Sequence, residues 1–315
     1  MWRFRLAEDT PDDQQRFCAL FNSLYTRKVD HRYYRWQFFE PPFPSILAFA
    51  EAPGGELAGC YGYHLLQWNM SRRPLAWALD IMISPRFQGS GLFRRLATYA
   101  SACTEKYSPV ARCVMANQRA SRAHTLGLGW KEVEAIPTSL ADTSGTLPQE
   151  PDVEVGVLCA AGTGEIPLCS SPIPGLAAVI RSESYMTWRF RSNPWYQYDF
   201  ICFGGSSRPK AYVVTKVFSD PVTYHKYGDI VDYLWSPNIS PSVLLNAALT
   251  AFRSADIMQA AFWLRKEVPL DSFPCWNLRQ VSPTRYFCCS VLDTEYKRLS
   301  ESRSWFLSMA DSEIY

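Results

Sequence analysis

Residues 80–97 read Asp-Ile-Met-Ile-Ser-Pro-Arg-Phe-Gln-Gly-Ser-Gly-Leu-Phe-Arg-Arg-Leu-Ala. The apolar run over 75–83 predicts a strand, and the apolar spacing after it predicts an amphipathic helix over 91–104. Between the two, Gly89 and Gly91 remove β-carbons where the helix begins. Backbone N–H groups can close on an anion there, because the first turn of a helix has unpaired donors and the positive end of the dipole. The spacing is not that of a P-loop, for no Gly-x-x-x-x-Gly-Lys-Ser/Thr is present. Nor is it the dinucleotide fingerprint Gly-x-Gly-x-x-Gly, because position 94 is arginine. An ordinary glycine-bearing strand-to-helix turn is the plain alternative.

The next stretch narrows the choice. A second apolar strand over Val110–Met115 leads to Asn117, then to Ala120, Ser121, His124 and the pair Gly129-Trp130. Loop and strand together resemble the GNAT acyl-CoA N-acyltransferases over about residues 45–137. The pyrophosphate loop of that family reads Gln/Arg-x-x-Gly-x-Gly/Ala; Gln88 and Gly91 fit it, and Phe93 departs from it at the last place. The resemblance implies an α/β fold: an initial strand, two helices, three antiparallel strands, the loop-bearing helix, a parallel strand and a last helix. The parallel fourth and fifth strands splay apart, and the thioester enters the gap.

The second half of the chain repeats the first. Tyr33-x-x-Trp36-x-Phe38 returns as Tyr185-x-x-Trp188-x-Phe190, and Asp80, Ser84 and Pro85 return as Asp232, Ser236 and Pro237. The interval is 152 residues in both clusters. We therefore expect a tandem GNAT fold, with two mixed, mostly antiparallel sheets, each flanked by helices. The expected division is a first domain over 1–140, a linker over 141–152 rich in Pro, Thr, Ser, Gly and acids, and a second domain over 153–315. The copies differ at the loop, where Gln88-Gly89-Ser90-Gly91 becomes Ser240-Pro241-Ser242-Val243. Ser240 followed by Pro241 is an ordinary self-capped helix start. One acyl-CoA site is expected, in the first copy.

Periodicity fills in the rest. Trp2–Leu6 reads as a strand, 12–25 and 30–39 as helices, and 46–52 with 57–67 as a hairpin about Pro53-Gly54-Gly55. A helix over 119–126 follows the second strand. Later, 198–204, 210–218 and 228–235 read as strands, 242–255 as a helix, and 259–265 and 285–292 as strands.

Composition bounds the function. A net charge of +2 and a pI near 8.0 give no field that calls for nucleic acid. The ten cysteines include no Cys-x-x-Cys, and the four histidines do not join them at zinc spacing, so no metal is expected. Reduced cysteines, with no apolar leader and no run approaching ~18 apolar residues, suggest a cytoplasmic protein without a membrane span.

The resemblance also implies roles. Acetyl-CoA, or another short acyl-CoA, is the expected co-substrate. Ile81, Met82 and Ile83 would offer backbone groups to pantetheine, a chain of amides that pairs with a strand as a peptide does. Gln88, Gly89, Ser90, Gly91, Leu92 and Phe93 would hold the pyrophosphate. Asn117 and Ser121 would meet pantetheine, or Asn117 is simply a helix N-cap. Attack of an amine on a thioester needs a base, oxyanion donors and an acid for the leaving thiolate. Many members place a Tyr acid in the last helix, but Arg119–Leu128 contains none. His124 stands as the candidate acid, against a packed histidine, and Asp80 as candidate base, against a structural role shared with Asp232. Tyr33, Trp36, Tyr63 and His64 are candidate acceptor residues, against an aromatic core. The acceptor implied is a small primary amine, most readily of an amino sugar or sugar nucleotide. An antibiotic, amino-acid or peptide amine, or a non-catalytic acyl-CoA-binding protein, are the alternatives, and the chain is expected as monomer or homodimer. The ending Trp305–Glu313 resembles that of tandem members from polysaccharide and amino-sugar gene clusters, and is expected either to dock over the first domain or to fray.

Overall fold

A computed structural model describes residues 2–144, 175–203, 211–220, 225–235, 239–264 and 276–312, and the backbone of 155–160. The strands are β1 (Arg3–Leu6), β2 (Ser45–Glu51), β3 (Leu57–Trp68), β4 (Ser71–Ile83), β5 (Ala111–Ala116), β6 (Lys131–Asp142), β7 (Val155–Ala160), β8 (Asp199–Phe203), β9 (Ala211–Ser219), β10 (Lys226–Leu234), β11 (Gln259–Phe262) and β12 (Arg279–Val291). The helices are α1 (Pro11–Leu24), α2 (His31–Phe38), α3 (Leu92–Thr104), α4 (Gln118–Leu128), α5 (Glu183–Met186, continued as a π turn over Thr187–Arg191) and α6 (Pro241–Ser254).

Two compact units emerge. The first holds Met1–Glu134, Ser192–Trp195 and Tyr286–Ser304; the second holds Ala135–Arg191, Tyr196–Arg285 and Trp305–Tyr315. In the first, β1 to β4 are antiparallel neighbours and β5 joins β4 in parallel. The strand beyond β5 comes from far along the chain: Tyr286–Val291 of β12 pairs antiparallel with Ala111–Ala116. In the second unit the order is reciprocal. Ser139–Asp142 of β6 pairs with β11, which lies parallel to β10, and β9, β8 and β7 follow antiparallel.

This corrects the expectation of two sheets, each made by its own half of the sequence. β6 and β12 are single strands that each belong in part to both units. Neither strand shows a strict apolar-polar alternation, so sequence periodicity does not say which unit either one completes. Of the expected linker 141–152, residues 141–142 close β6, and 145–152 lie outside the described residues.

Sidedness in the first unit follows from β3. Tyr61 and Tyr63 join a core with Leu92, Leu96, Ala97 and Ala100 of α3. Gly62, pointing the other way, lets the Phe38 ring of α2 approach: a β-carbon there would lie 2.8 Å from it. Helices α1 and α2 thus cover one face, and α3 and α4 the other. Phe17 of α1 is fully buried beside Tyr33, Tyr34 and Phe38.

In the second unit the tail does not fray. Trp305, Phe306 and Met309 are buried there, and Ala177 bridges Trp305. The apolar spacing of 305–310 gives the tail a core of its own to enter, which a reading by position in the chain overlooks.

Candidate functional site

β4 does not run straight. Cys60 pairs with Met82 and Gly62 with Leu79, so Tyr61 alone faces both Asp80 and Ile81. This is a β-bulge, and Asp80 takes the left-handed region at φ 45°. Asp tolerates that region better than most residues, at a cost of about 1 kcal/mol. The bulge turns the Asp80 carboxylate to the α2 face, where the Tyr33 hydroxyl donates to it at 3.0 and 3.2 Å. Asp80, Tyr33 and Trp36 are all buried, and the Tyr33 and Trp36 rings lie 5.8 Å apart.

The parallel pairing of β4 and β5 runs only from Leu75/Ala111 to Ala78/Val114. Past that point β4 continues to Ile83 and β5 to Ala116 without pairing, so the strands part where Asp80, Ile81, Met82 and Ile83 lie. The helix after each strand opens at this gap.

Helix α3 opens through a short 3-10 turn (Pro85–Phe87), then Gly89 at φ 78° and Gly91 at φ 75°. Both angles favour glycine, and neither position is crowded: a β-carbon would meet nothing within 4 Å. Gly91 is the N-cap, and no side chain caps α3 among the described residues. The first-turn N–H groups of α3 are therefore left for a ligand. Ser90 Oγ donates to the Phe87 carbonyl at 2.6 Å and holds the turn. Leu92 is buried under the helix, and Phe93, the residue that departs from the family loop, turns its ring edge to His124 at 5.3 Å. Two left-handed glycines and an uncapped helix start fit the pyrophosphate of an acyl-CoA.

Helix α4 opens across the gap. Asn117 is its N-cap, its Oδ1 accepting from Ala120 N at 2.9 Å. Ser121 is buried; its Oγ donates to Glu132 at 2.5 Å and accepts from the Cys288 thiol at 3.4 Å. His124 is fully buried. Its Nδ1 lies 2.7 Å from the Ala120 carbonyl, which can only accept, so Nδ1 carries the proton. Nε2 then accepts from the Tyr61 hydroxyl at 2.9 Å. Burial pushes the imidazole down to about 4, and the bond to Ala120 opposes this only in part. Burial also pushes the Tyr61 hydroxyl well up.

The other acceptor candidates separate. Tyr63 lies on the α3 face, where its hydroxyl meets Ser101 Oγ at 3.1 Å. His64 lies on the α2 face, its Nε2 donating to the Gln37 carbonyl at 2.7 Å beside Phe43. The structure thus brings Asp80, Tyr33 and Trp36 together on one face, and His124 with Tyr63's neighbour Tyr61 on the other.

Three residues escaped the sequence reading. Tyr61 orients against His124. Trp195, from the second half of the chain, stands edge-on to Tyr33 at 5.3 Å and donates to the Lys28 carbonyl at 3.1 Å. Arg119 donates to Gln88 Oε1 at 2.6 Å, while Gln88 Nε2 donates to the Ile83 carbonyl at 3.0 Å. The alternation of β3 could have flagged Tyr61; nothing local could have flagged Trp195. Among the described residues no helix is long and apolar enough to cross a membrane.

Comparison with known proteins agrees with this geometry. Residues 13–130 match the Acetyltransferase (GNAT) family. No curated protein matches the chain in sequence. Among solved structures, Eis1 from Mycobacterium abscessus is similar with a TM-score of 0.63 at 14% identity, over 96% of this chain and 76% of that one. A tandem GNAT protein from the clavulanic acid biosynthesis pathway gives 0.62 at 11% identity, over 92% of this chain and 98% of that one. A fungal multi-domain β-N-acetylglucosaminidase with a GCN5-related glucosamine N-acetyltransferase region gives 0.58 at 9% identity, over 91% of this chain and 38% of that one. At such identities these likenesses speak for the fold, while the family match covers the bulged strand, the glycine loop and the parting of β4 from β5. Residues 13–130 are thus similar in sequence to the GNAT acetyltransferases, and the fold of the chain is similar to that of a tandem GNAT protein.

Proposed function

We propose that the chain transfers an acetyl or short acyl group from acyl-CoA to the primary amine of an amino sugar or sugar nucleotide. The observation that carries the acyl-CoA part is the uncapped α3 start with Gly89 and Gly91 in left-handed conformations. Pantetheine would lie along Ile81–Ile83 in the gap, flanked by Asn117 and Ser121. The amine nitrogen attacks the thioester carbonyl, the C–S bond breaks, and the amine loses a proton as the thiolate gains one. Asp80, on the α2 face, is the group we assign to orient the amine and receive its proton. His124, whose single N–H is committed to Ala120, acts by fixing the Tyr61 hydroxyl, the buried O–H we assign to the leaving thiolate. Tyr33, Trp36, Tyr63 and His64 stay proposed as acceptor-side residues, with Tyr33 and Trp36 the better supported.

The amino-sugar acceptor rests on the resemblance of the sequence and on the fungal relative whose region is named for glucosamine. Thiol release with acetyl-CoA, measured across amino sugars, aminoglycosides, amino acids and peptides, tests it. Turnover confined to amino sugars or their nucleotides is the expected result; turnover confined to another class overturns it. Acetyl-CoA binding without turnover on any amine would favour a non-catalytic protein, the reading that His124's committed proton also favours.

A further inference from the structure

The ten cysteines include no Cys-x-x-Cys and one vicinal pair, Cys288-Cys289. The fold brings a third cysteine to that pair. Cys113 lies on β5 and Cys289 on β12, 176 residues apart in the chain, and the antiparallel register sets them directly opposite each other. Residues so placed have Cα atoms about 4.5 or 5.5 Å apart, depending on the type of pair. Disulfides span about 4.4–6.8 Å between Cα atoms, so the backbone already has the spacing of one. The two sulfurs lie 3.8 Å apart, each turned toward the other, and both residues are buried.

Cys288 does not compete for this partner. Successive side chains of a strand point to opposite faces, and the Cys288 thiol donates to Ser121 Oγ at 3.4 Å on the α4 side. On the face of Cys113 and Cys289, Trp77, opposite Cys113 on β4, stacks with Phe287 at 5.6 Å. The ladder between β5 and β12 also carries more than its share of β5. Pairing with β4 ends at Val114, whereas β12 continues along β5 to Met115 and Ala116. The strand at the far wall of the gap is therefore held at its end by β12.

We propose that Cys113 and Cys289 are a site of oxidative modification, joining in a disulfide that staples β12 to β5. The oxidant is a small disulfide such as oxidised glutathione. One cysteine attacks it as the thiolate, a mixed disulfide forms, and one glutathione thiolate leaves. The second cysteine attacks the mixed disulfide and expels the other glutathione. Two protein thiols lose two protons and two electrons, and the glutathione disulfide gains them as two thiols. Formation passes through a local opening of β12, because burial shields the Cys113 thiol and pushes its proton affinity well up. Once closed, the bond is buried and shielded from reductants by the same packing.

The test is incubation of the folded, full-length chain with oxidised glutathione in sub-denaturing urea, which speeds the opening of β12. Peptide mass mapping and a thiol count then read the product. The expected product joins Cys113 to Cys289 and keeps the other eight of the ten thiols free. Its thermal midpoint should lie roughly 5–10 °C above that of the same protein reduced with dithiothreitol, since the bond closes a long loop. Cys288→Ala should form the same bond and show the same rise, whereas Cys289→Ala should show no rise. Ten free thiols after incubation, or Cys113 and Cys289 bonded to Cys288 or to glutathione instead of to each other, would overturn the proposal. A Cys113–Cys289 bond that leaves the midpoint unchanged or lowers it would overturn the staple.

Discussion

The two copies of the fold keep the same aspartate and put it to different ends. Asp80 and Asp232 both sit where the central strand bulges, β4 between Leu79 and Met82 and β10 between Ile230 and Asp232. Asp232 is locked: Arg181 pairs with it at 2.9 Å, Tyr212 donates at 3.0 Å, and Ser308 of the tail donates at 2.6 Å. Arg181 also pairs with Asp311 at 2.9 Å, so the tail closes the network. Burial works against the Arg181 charge, but Asp232 and Asp311 outweigh it and raise its proton affinity. Val29 stands 152 residues before Arg181, so the first copy has no arginine at that place. Asp80 takes its hydroxyl partner from Tyr33, on the face covered by α1 and α2. The loops differ in the same sense. Ser240 caps α6 through Val243 N at 3.4 Å and Pro241 follows, whereas α3 begins at the uncapped Gly91. One copy locks its aspartate and caps its helix internally, and the other leaves its helix start uncapped.

Substituting each aspartate separates the two roles most sharply. Asp232→Asn should destabilise the protein by about 3 kcal/mol, because a buried guanidinium loses a charged partner, and urea melts would read this. Asp80→Asn should lower turnover about 100-fold with acetyl-CoA affinity unchanged. Wild-type turnover in Asp80→Asn, or a stable Asp232→Asn protein, would remove the contrast.

His124 gives an effect of similar size that depends on pH. In the unfolded chain it takes up a proton near its ordinary value of 6.5, whereas burial holds it down to about 4 in the fold. Its contribution is therefore fully present above about 6.5 and is lost as pH falls towards 4, amounting to roughly 3 kcal/mol. Urea melts from pH 7 to pH 4 should show that slope, and His124→Gln should flatten it.

The smallest effect tests the loops. Ser240→Ala removes the α6 cap and should cost about 1 kcal/mol, without altering acetyl-CoA affinity. A change in affinity would mean that the second helix start contributes to the site.

Much of this was legible in the sequence. The 75–83 strand, the glycine loop and the helix after it follow from periodicity and turn chemistry, which are local, whereas β6 and β7 were not expected. The 152-residue repeat exposes in the sequence itself the change from Gln88-Gly89-Ser90-Gly91 to Ser240-Pro241-Ser242-Val243. Contacts between distant segments were not legible. Nothing in 286–291 says that it will pair with β5, nothing near Trp195 points to Tyr33, and the 305–312 tail reads as a terminus until its apolar side chains find a core. His124 shows the same limit: the absence of a Tyr from Arg119–Leu128 makes it the candidate acid in the sequence, while its tautomer is fixed by Ala120 and Tyr61.

The most direct test of the asymmetry is the stoichiometry of acetyl-CoA. Calorimetric titration should give one equivalent bound per chain, and none in Gly91→Val, which copies Val243 of the second loop while circular dichroism stays that of the wild type. Two equivalents per chain, or undiminished binding in Gly91→Val, would contradict a single site at the start of α3.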